Sequence, residues 1–433
     1  MGLPCHNSQP PANRRPGGRD NNLVGLPGPP AHTWRGACRT LFLLSVLGIF
    51  FLLPVHSDPS VLILLSVVSG ACAAGRCSLP VGPVRHALMA FTGYSLVAFV
   101  ASAYSFDALA KYAIVPLWGG AIVAGMLFSR VFSAHGYRFF LATVVAIVLS
   151  LVAGVALGFH SPQFWHDFRL KLFAIHPSRL AMYCAVAFLF CCNTAAVAHR
   201  QKTRWLFIVL AALMAACLYM TNTRGVLLLL PFGILCLIVT LPAGRRHCLL
   251  AGFLVCCMFA GTGLWVTKET PLSKRVLSAV TDLRNDNTFR SRLPIWEAAW
   301  ESFREAPFIG HGVKNYSQLH AKYREEHAQV WLKRYDGQYE LSAKNAHNII
   351  LGRLVESGAL GTVCFLLFYG LVTLMALRLP PGQRWVAALL VFYMGVGMLD
   401  DTLFRRNDTF IFFVMGAVLG QFWRQDTVAP ESS

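Results

Sequence analysis

Charge is what this sequence has least of. Of its 433 residues only 13% are Asp, Glu, Lys or Arg, against 55% hydrophobic, and the mean hydropathy is +0.52. A soluble domain of that balance would be as apolar outside as inside, so that class is excluded. Thirteen cysteines are present, yet none falls in the longest polar segment, 268–346. That excludes a disulfide framework or a thiolate metal site there. His311, His320 and His327 share the segment without tight metal spacing. No Gly-rich loop of the phosphate-cradling kind occurs, and no internal repeat of fixed period.

What remains is a polytopic membrane protein. Apolar runs cover 40–55, 59–75, 87–105, 112–129, 139–158, 179–198, 205–220, 225–242, 248–267, 347–377, 386–399 and 409–423. At ~20 residues per span these make about twelve transmembrane helices, an all-α fold. The formal charge of +18 invites a nucleic-acid partner, but the basic residues are scattered between the runs, and none is expected. They read as topology signals. With a cytoplasmic amino terminus, the inside loops hold Arg76 and Arg85; Arg130 and Arg138; Arg200, Lys202 and Arg204; Arg245 and Arg246; Arg378 and Arg384. These loops are basic and almost free of acid, as the positive-inside rule requires. Both termini are then cytoplasmic and 268–346 faces outward.

The expected organisation is a disordered tail over 1–36, transmembrane helices over 37–267, a large outer loop over 268–346, further transmembrane helices over 347–423 and a cytoplasmic tail over 424–433. Val55-His56-Ser57 has the character of a signal-peptide end, but the tail before it is too long. Inside the outer loop, Pro294 is placed as the first residue of a helix running to Glu305. Its apolar face is Ile295, Trp296, Ala299, Trp300 and Phe303. A second helix is read from Tyr316 to Tyr335.

Four polar knots carry the candidate chemistry. Thr221-Asn222-Thr223-Arg224-Gly225 sits between two apolar runs, a donor-rich turn suited to phosphate oxygens. Its bland reading is an arginine that snorkels at a helix end. Arg290-Ser291-Arg292 precedes the Pro294 helix and adds cations to a helix amino terminus, a natural anion site; otherwise it is a solvated basic turn. His176-Pro177-Ser178-Arg179 opens the sixth run and reads first as a polar helix entry.

The fourth is Lys344-Asn345-Ala346-His347-Asn348, where the polar segment meets the next apolar run. If Asn345 caps that helix, His347 lies in its first turn, held neutral by the dipole and available as a general base. His347 and Glu356 are half a turn out of phase, whereas Arg353 and Glu356 stand at i,i+3 and pair with each other. Gly358 and Gly361 permit close helix packing. The first outer loop offers only Asp58, so it lacks the paired carboxylates of a divalent-metal glycosyltransfer site of that layout.

Taken with Pro307-Phe308-Ile309-Gly310-His311-Gly312, these motifs resemble the O-antigen ligase and polymerase superfamily of bacterial envelope glycosyltransferases. The motifs cover 170–363 and the helix layout the rest. Arg353 departs from the pattern, since an uncharged residue is expected there. The resemblance implies a GT-C-like membrane fold in the bacterial inner membrane, with the active site facing the periplasm. It implies a ligase that moves a glycan from an undecaprenyl diphosphate carrier to a sugar hydroxyl of lipid A–core, with no cofactor and no metal. Arg224 and Arg292 would then act on the diphosphate and His347 on the acceptor. Arg290, Arg179, His176, Asn348, Thr221, Thr223 and Lys344 would bind substrate. The alternatives are a polymerase or a protein-glycan ligase on the same carrier and, from another class, a twelve-helix secondary transporter. The transporter would need repeat symmetry and broken helices in matching halves.

Overall fold

The computed structural model describes residues 31–52, 60–74, 80–104, 106–131, 165–166, 169–170, 177–221, 223–247, 249–250, 253–254, 269, 290–335, 343–399 and 409–428. The chain is helical in nearly all of these. In order the helices are α1 (Ala31–Leu52), α2 (Ser60–Ala74), α3 (Gly82–Ser102), α4 (Phe106–Tyr112), α5 (Ile114–Val131), α6 (Pro177–Val197) and α7 (Gln201–Thr221). They continue with α8 (Arg224–Thr240), α9 (Arg292–Glu305), α10 (Tyr316–Arg334), α11 (Ile349–Arg378), α12 (Trp385–Leu399) and α13 (Thr409–Val428). A two-residue antiparallel pairing, β1 (Trp165–His166) with β2 (Arg169–Leu170), precedes α6.

Among the described residues, five helices are long and apolar enough to cross a membrane: Gly82–Ser102, Leu109–Val131, Leu180–Val197, Gln201–Thr221 and Ile349–Arg378. Ser60–Ala74, Arg224–Thr240 and Trp385–Leu399 are equally apolar but shorter. The runs read at 139–158 and 248–267 lie largely outside the described residues, as does most of the 1–36 tail, whose end from Ala31 already belongs to α1.

In lipid, helices associate through close packing rather than through escape from water, so small residues mark the contacts. α5 lies on α13 in this way. A side chain on Gly125 would strike the Phe413 carbonyl, and one on Gly416 would strike that of Ile122. Trp118 stacks on Phe412 beside this seam, ring centroids 4.9 Å apart. α6 packs on α7, α3 on α11, α8 on α12 and α1 on α2. Outward-facing side chains such as Leu64, Val209, Val239 and Val363 remain exposed, as lipid contact requires.

The arginines of the connectors have structural partners. Helices leave carbonyls unsatisfied at their carboxyl ends, and cations there are favoured by the dipole. Arg246 Nε donates to the Leu241 carbonyl after α8 at 2.7 Å, and Arg384 Nε to that of Leu379 after α11 at 2.7 Å. Arg204 reaches the Ala198 carbonyl after α6 at 3.3 Å, and Arg245 the Ala196 carbonyl. Asn193 Nδ2 donates to Gly382 O at 2.9 Å, tying α6 to the α11–α12 turn on the same face.

On the other face, α9 and α10 form a small polar layer over the first turns of α11. Ile295, Ala299, Tyr316, Ala346 and Val355 make one core and Ala298, Tyr323, Trp331 and Tyr335 another. α9 begins at Arg292, so Pro294 is its third residue rather than its first. Proline is still tolerated there, because the first-turn N–H groups have no partner within the helix. Its buried face is centred on Ile295, Ala299 and Ser302; Trp300, read as core-facing, is 49% exposed. α10 spans the segment read for it. Glu297 holds Arg334 at 2.8 Å and Tyr335 Oη at 2.8 Å, and Glu305 holds Lys322 at 2.8 Å, joining the two helices along their rim.

Candidate active site

The placement of this layer depends on a break in α11. Gly358 has φ 62° and ψ −170°, outside helical space, although the helix resumes at once. Such a break frees the Val355 and Glu356 carbonyls and the Ala359 and Leu360 amides, which in hydrocarbon would cost several kcal/mol each. The segment 307–312 satisfies all four. His311 N donates to Val355 O at 2.8 Å and Gly312 N to Glu356 O at 2.9 Å. In return Ala359 N donates to Pro307 O at 2.7 Å and Leu360 N to Phe308 O at 3.2 Å. The loop is spliced into the helix, replacing two of its own bonds with four to another segment. Gly310 and Gly312, at φ 76° and 88°, supply the left-handed turns that let the loop enter.

Charge is buried beneath the splice. Arg353 Nη1 lies 2.9 Å from Glu356 Oε2, the i,i+3 pair read from the sequence, and it donates to Tyr94 Oη at 2.7 Å. Glu356 Oε1 accepts the Lys314 backbone N–H at 2.8 Å, so the carboxylate fixes the loop as well as the arginine. Arg353 is 3% exposed. A charge so placed persists only with partners.

The amino end of α11 differs from the reading. Asn348, not Asn345, is the cap: its Oδ1 accepts from Ile350 N at 3.0 Å and Leu351 N at 3.1 Å. His347 therefore stands outside the helix, one residue before the cap, at φ 48°. A left-handed histidine is a strained residue of the sort that clusters at functional sites.

Asn348 also donates from Nδ2 to Met398 O at 3.1 Å, at the carboxyl end of α12. Arg292, the first residue of α9, donates from Nη1 to the neighbouring Leu399 carbonyl. At the start of α8, a side chain on Gly225 would lie 3.8 Å from Leu399 Cβ, which sets adjacent Arg224 beside the same turn. Three helices thus begin around one helix end. Arg224 is the first residue of α8, Arg292 the first of α9, and His347 precedes the cap of α11, so three candidates sit at these helix starts. The opposing negative end of α12 is covered by Asn348 and Arg292.

The remaining candidates sit at varying remove. Arg290 is half-buried immediately before α9. Thr221 is the last residue of α7 and donates its hydroxyl back to Leu218 O at 2.7 Å, while Thr223 Oγ1 reaches Thr221 O at 3.5 Å. Lys344 is exposed, in a bend three residues before His347. Arg179 lies in the first turn of α6, and His176 is outside the described residues. The outer-layer histidines are engaged with backbone: His311 Nε2 with Ser302 O at 2.7 Å, His327 Nδ1 with Tyr323 O at 3.1 Å, and His320 Nδ1 accepting Ala343 N at 3.4 Å. Burial, with Arg324 nearby, pushes the His320 pKa down to about 4. Sequence reasoning missed the 307–312 splice and the role of Met398 and Leu399. Two left-handed glycines in the loop were the available signal for the first, and nothing local signals the second.

The fold is that of a multi-pass membrane protein. Residues 209–366 match the family described as O-antigen ligase. The match runs from α7 to the resumed part of α11 and takes in Arg224, Arg290, Arg292, the spliced loop, His347 and Glu356, so the resemblance drawn from the motifs is borne out over that stretch. No curated protein matches the chain. The family match supports ligase- or polymerase-type glycan transfer in the membrane.

Proposed function

We propose that the protein is an O-antigen ligase of the bacterial inner membrane, its site open to the periplasm and both termini cytoplasmic. It takes O-polysaccharide from undecaprenyl diphosphate and joins it to a sugar hydroxyl of lipid A–core. The observation that carries this reading is that the starts of α8, α9 and α11, which bear Arg224, Arg292 and, one residue before the cap, His347, each contact the carboxyl end of α12.

The chemistry follows from those groups. The diphosphate leaving group gains charge as the bond between its oxygen and the anomeric carbon breaks. Guanidiniums and helix N–H groups fixed in advance stabilise that charge without reorganising. Arg290, at the approach to α9, adds a further cation. His347 accepts the proton of the acceptor hydroxyl as its oxygen bonds to the anomeric carbon from the opposite face. A single displacement inverts the configuration. Cations held by the protein can serve where other glycosyltransferases use a metal, and we infer a metal-independent reaction. The broken helix favours an enzyme over a transporter. In a transporter the exposed groups of a broken helix hold the cargo, whereas those of α11 are consumed by residues 307–312.

Cells lacking the protein, complemented with wild type or His347→Ala, test the assignment. Loss of surface ladders with long glycan left on the lipid carrier supports the ligase. Accumulated single repeat units would make it a polymerase, and intact lipopolysaccharide with a missing protein glycan would make it a protein-glycan ligase. Normal ladders with His347→Ala would remove that histidine from the chemistry.

A further inference from the structure

Two thiols face each other at one end of the α1–α2 hairpin. The helices run antiparallel, and their register is fixed by contacts along one seam. Ser66 Oγ donates to Ser45 Oγ at 3.0 Å. One turn further along α2, a side chain on Gly70 would lie 3.1 Å from the Phe42 ring. The next contact along this seam is Cys38 with Cys72, whose thiols lie within hydrogen-bonding reach of each other. On α1, positions 38, 42 and 45 share one helical face. On α2, Ser66, Ser69, Gly70 and Ala73 are small and buried. Small residues let the two backbones approach closely, which two cysteines require, since a disulfide spans only about 4.4–6.8 Å between Cα atoms.

The two sulfurs differ in access. Cys38 is buried and Cys72 exposed. Arg39, next to Cys38, is exposed, and Arg76 stands four residues after Cys72. The pair therefore lies where the apolar stretch of the hairpin ends, within reach of dissolved reagents. Cys184 and Cys217 also neighbour each other, but both are buried within α6 and α7.

We propose that Cys38 and Cys72 are a redox-modification site, a dithiol that a small disulfide of the glutathione type closes into a bond stapling α1 to α2. The Cys72 thiolate attacks one sulfur of the small disulfide and expels the other half, which takes up the proton Cys72 gave up. The Cys38 thiolate then attacks the Cys72 sulfur and expels the second half, again with its proton. Two protein thiols are oxidised, the small disulfide is reduced to two thiols, and a thiol reductant reverses both steps. The pairing does not rest on the glycan-transfer reading. Its resting state rests on the cytoplasmic termini proposed above, because thiols on that side are kept reduced. Oxidation then tightens the hold of the bundle on its first helix.

Full-length protein in nanodiscs, incubated with oxidised glutathione, alkylated and cut with trypsin without reduction, tests it. Cleavage after Arg35, Arg39 and Arg76 leaves the two cysteines in separate peptides, 36–39 and 40–76, each with no other cysteine. These peptides are expected joined, two hydrogens below their combined mass, and parted again by dithiothreitol. Cys184 and Cys217 should stay unlinked. With Cys38→Ser, glutathione should remain on Cys72 as a mixed disulfide; with Cys72→Ser, Cys38 should carry none. In cells alkylated before lysis, both cysteines should be found reduced. Absence of the joined peptides after oxidation, or Cys72 joined to another cysteine instead, would overturn the pairing. Peptides already joined in cells would overturn the resting dithiol and leave the glycan-transfer reading untouched.

Discussion

Gly358 fills the side-chain space of Gly310, and Phe308, two residues before Gly310, fills that of Gly358. A Cβ on Gly310 would lie 2.5 Å from the Gly358 nitrogen, and one on Gly358 would overlap the Phe308 carbonyl. Neither segment can close on the other unless both residues are glycine.

The first prediction concerns that contact. Gly310→Ala and Gly358→Ala each add a clash to a left-handed backbone, which alone costs roughly 1–3 kcal/mol. Both variants should lose folded protein or unfold at clearly lower temperature in detergent. Gly370→Ala is the control, because nothing lies within 4 Å of its Cβ position. An unchanged melting temperature for Gly358→Ala would mean that the splice does not hold the layer.

The buried pair gives a second. Arg353→Met should be less damaging than Glu356→Gln, which leaves the arginine charged and buried, at about 3–5 kcal/mol. Combining them should recover part of that loss, because the unpaired charge is gone. Thermal unfolding of the two single variants and the double variant measures the coupling. Strict additivity would show the two residues to be independent.

A third separates the roles around Leu399. His347→Ala should reduce the rate of transfer by roughly 10²–10⁴, the usual range for a positioned proton acceptor, with donor binding nearly unchanged. Arg292→Lys keeps the charge but loses the planar fork, so donor binding and rate should both fall. Purified protein with lipid-linked donor would show the split. A His347→Ala effect confined to donor binding would reassign the residue.

The fourth is a pH dependence. His320 is buried and its folded-state pKa is lowered to about 4. Above the ordinary histidine value both folded and unfolded chains hold it neutral, and it contributes nothing to the pH dependence. As pH falls from about 6.5 toward 4, the unfolded chain takes up the proton first and stability declines, by up to about 3 kcal/mol. Melting temperature followed over that window should drop in wild type and drop less in His320→Asn. Parallel curves would show that another group governs the acid limb.

Reaction buffer supplies a fifth. Transfer by purified protein should persist in excess chelator, since the site is built from guanidiniums, helix ends and an imidazole. Activity lost on chelation and restored by one divalent ion would require a metal in the reaction.

Periodicity and loop charge were enough to read most of the helices, the bounds of α10 and the pairing of Arg353 with Glu356, because each of these is local. Two asparagines three residues apart made the start of α11 ambiguous. The structure makes Asn348 the cap, and its Nδ2 also bonds Met398 O, a contact 50 residues away. Gly358 and Gly361 read alike in sequence, yet they differ in structure. Gly361 does pack closely, its Cβ position 3.3 Å from Val97, whereas Gly358 breaks the helix. No helical pattern records that the amides after Gly358 turn to carbonyls in another segment. For the same reason the three helix starts could be listed as cation-bearing but not assembled.

Residues 307–312 leave the ribosome before 355–360. The four bonds of the splice can therefore form only if the earlier segment is already delivered to its side of the membrane and waits there. The upper part of α11 enters the bilayer with backbone groups that its own helix will never satisfy. In the folded protein those groups are satisfied by the loop rather than by the helix. A chain with a delayed or truncated outer loop would thus fail first at a membrane helix whose own sequence is intact.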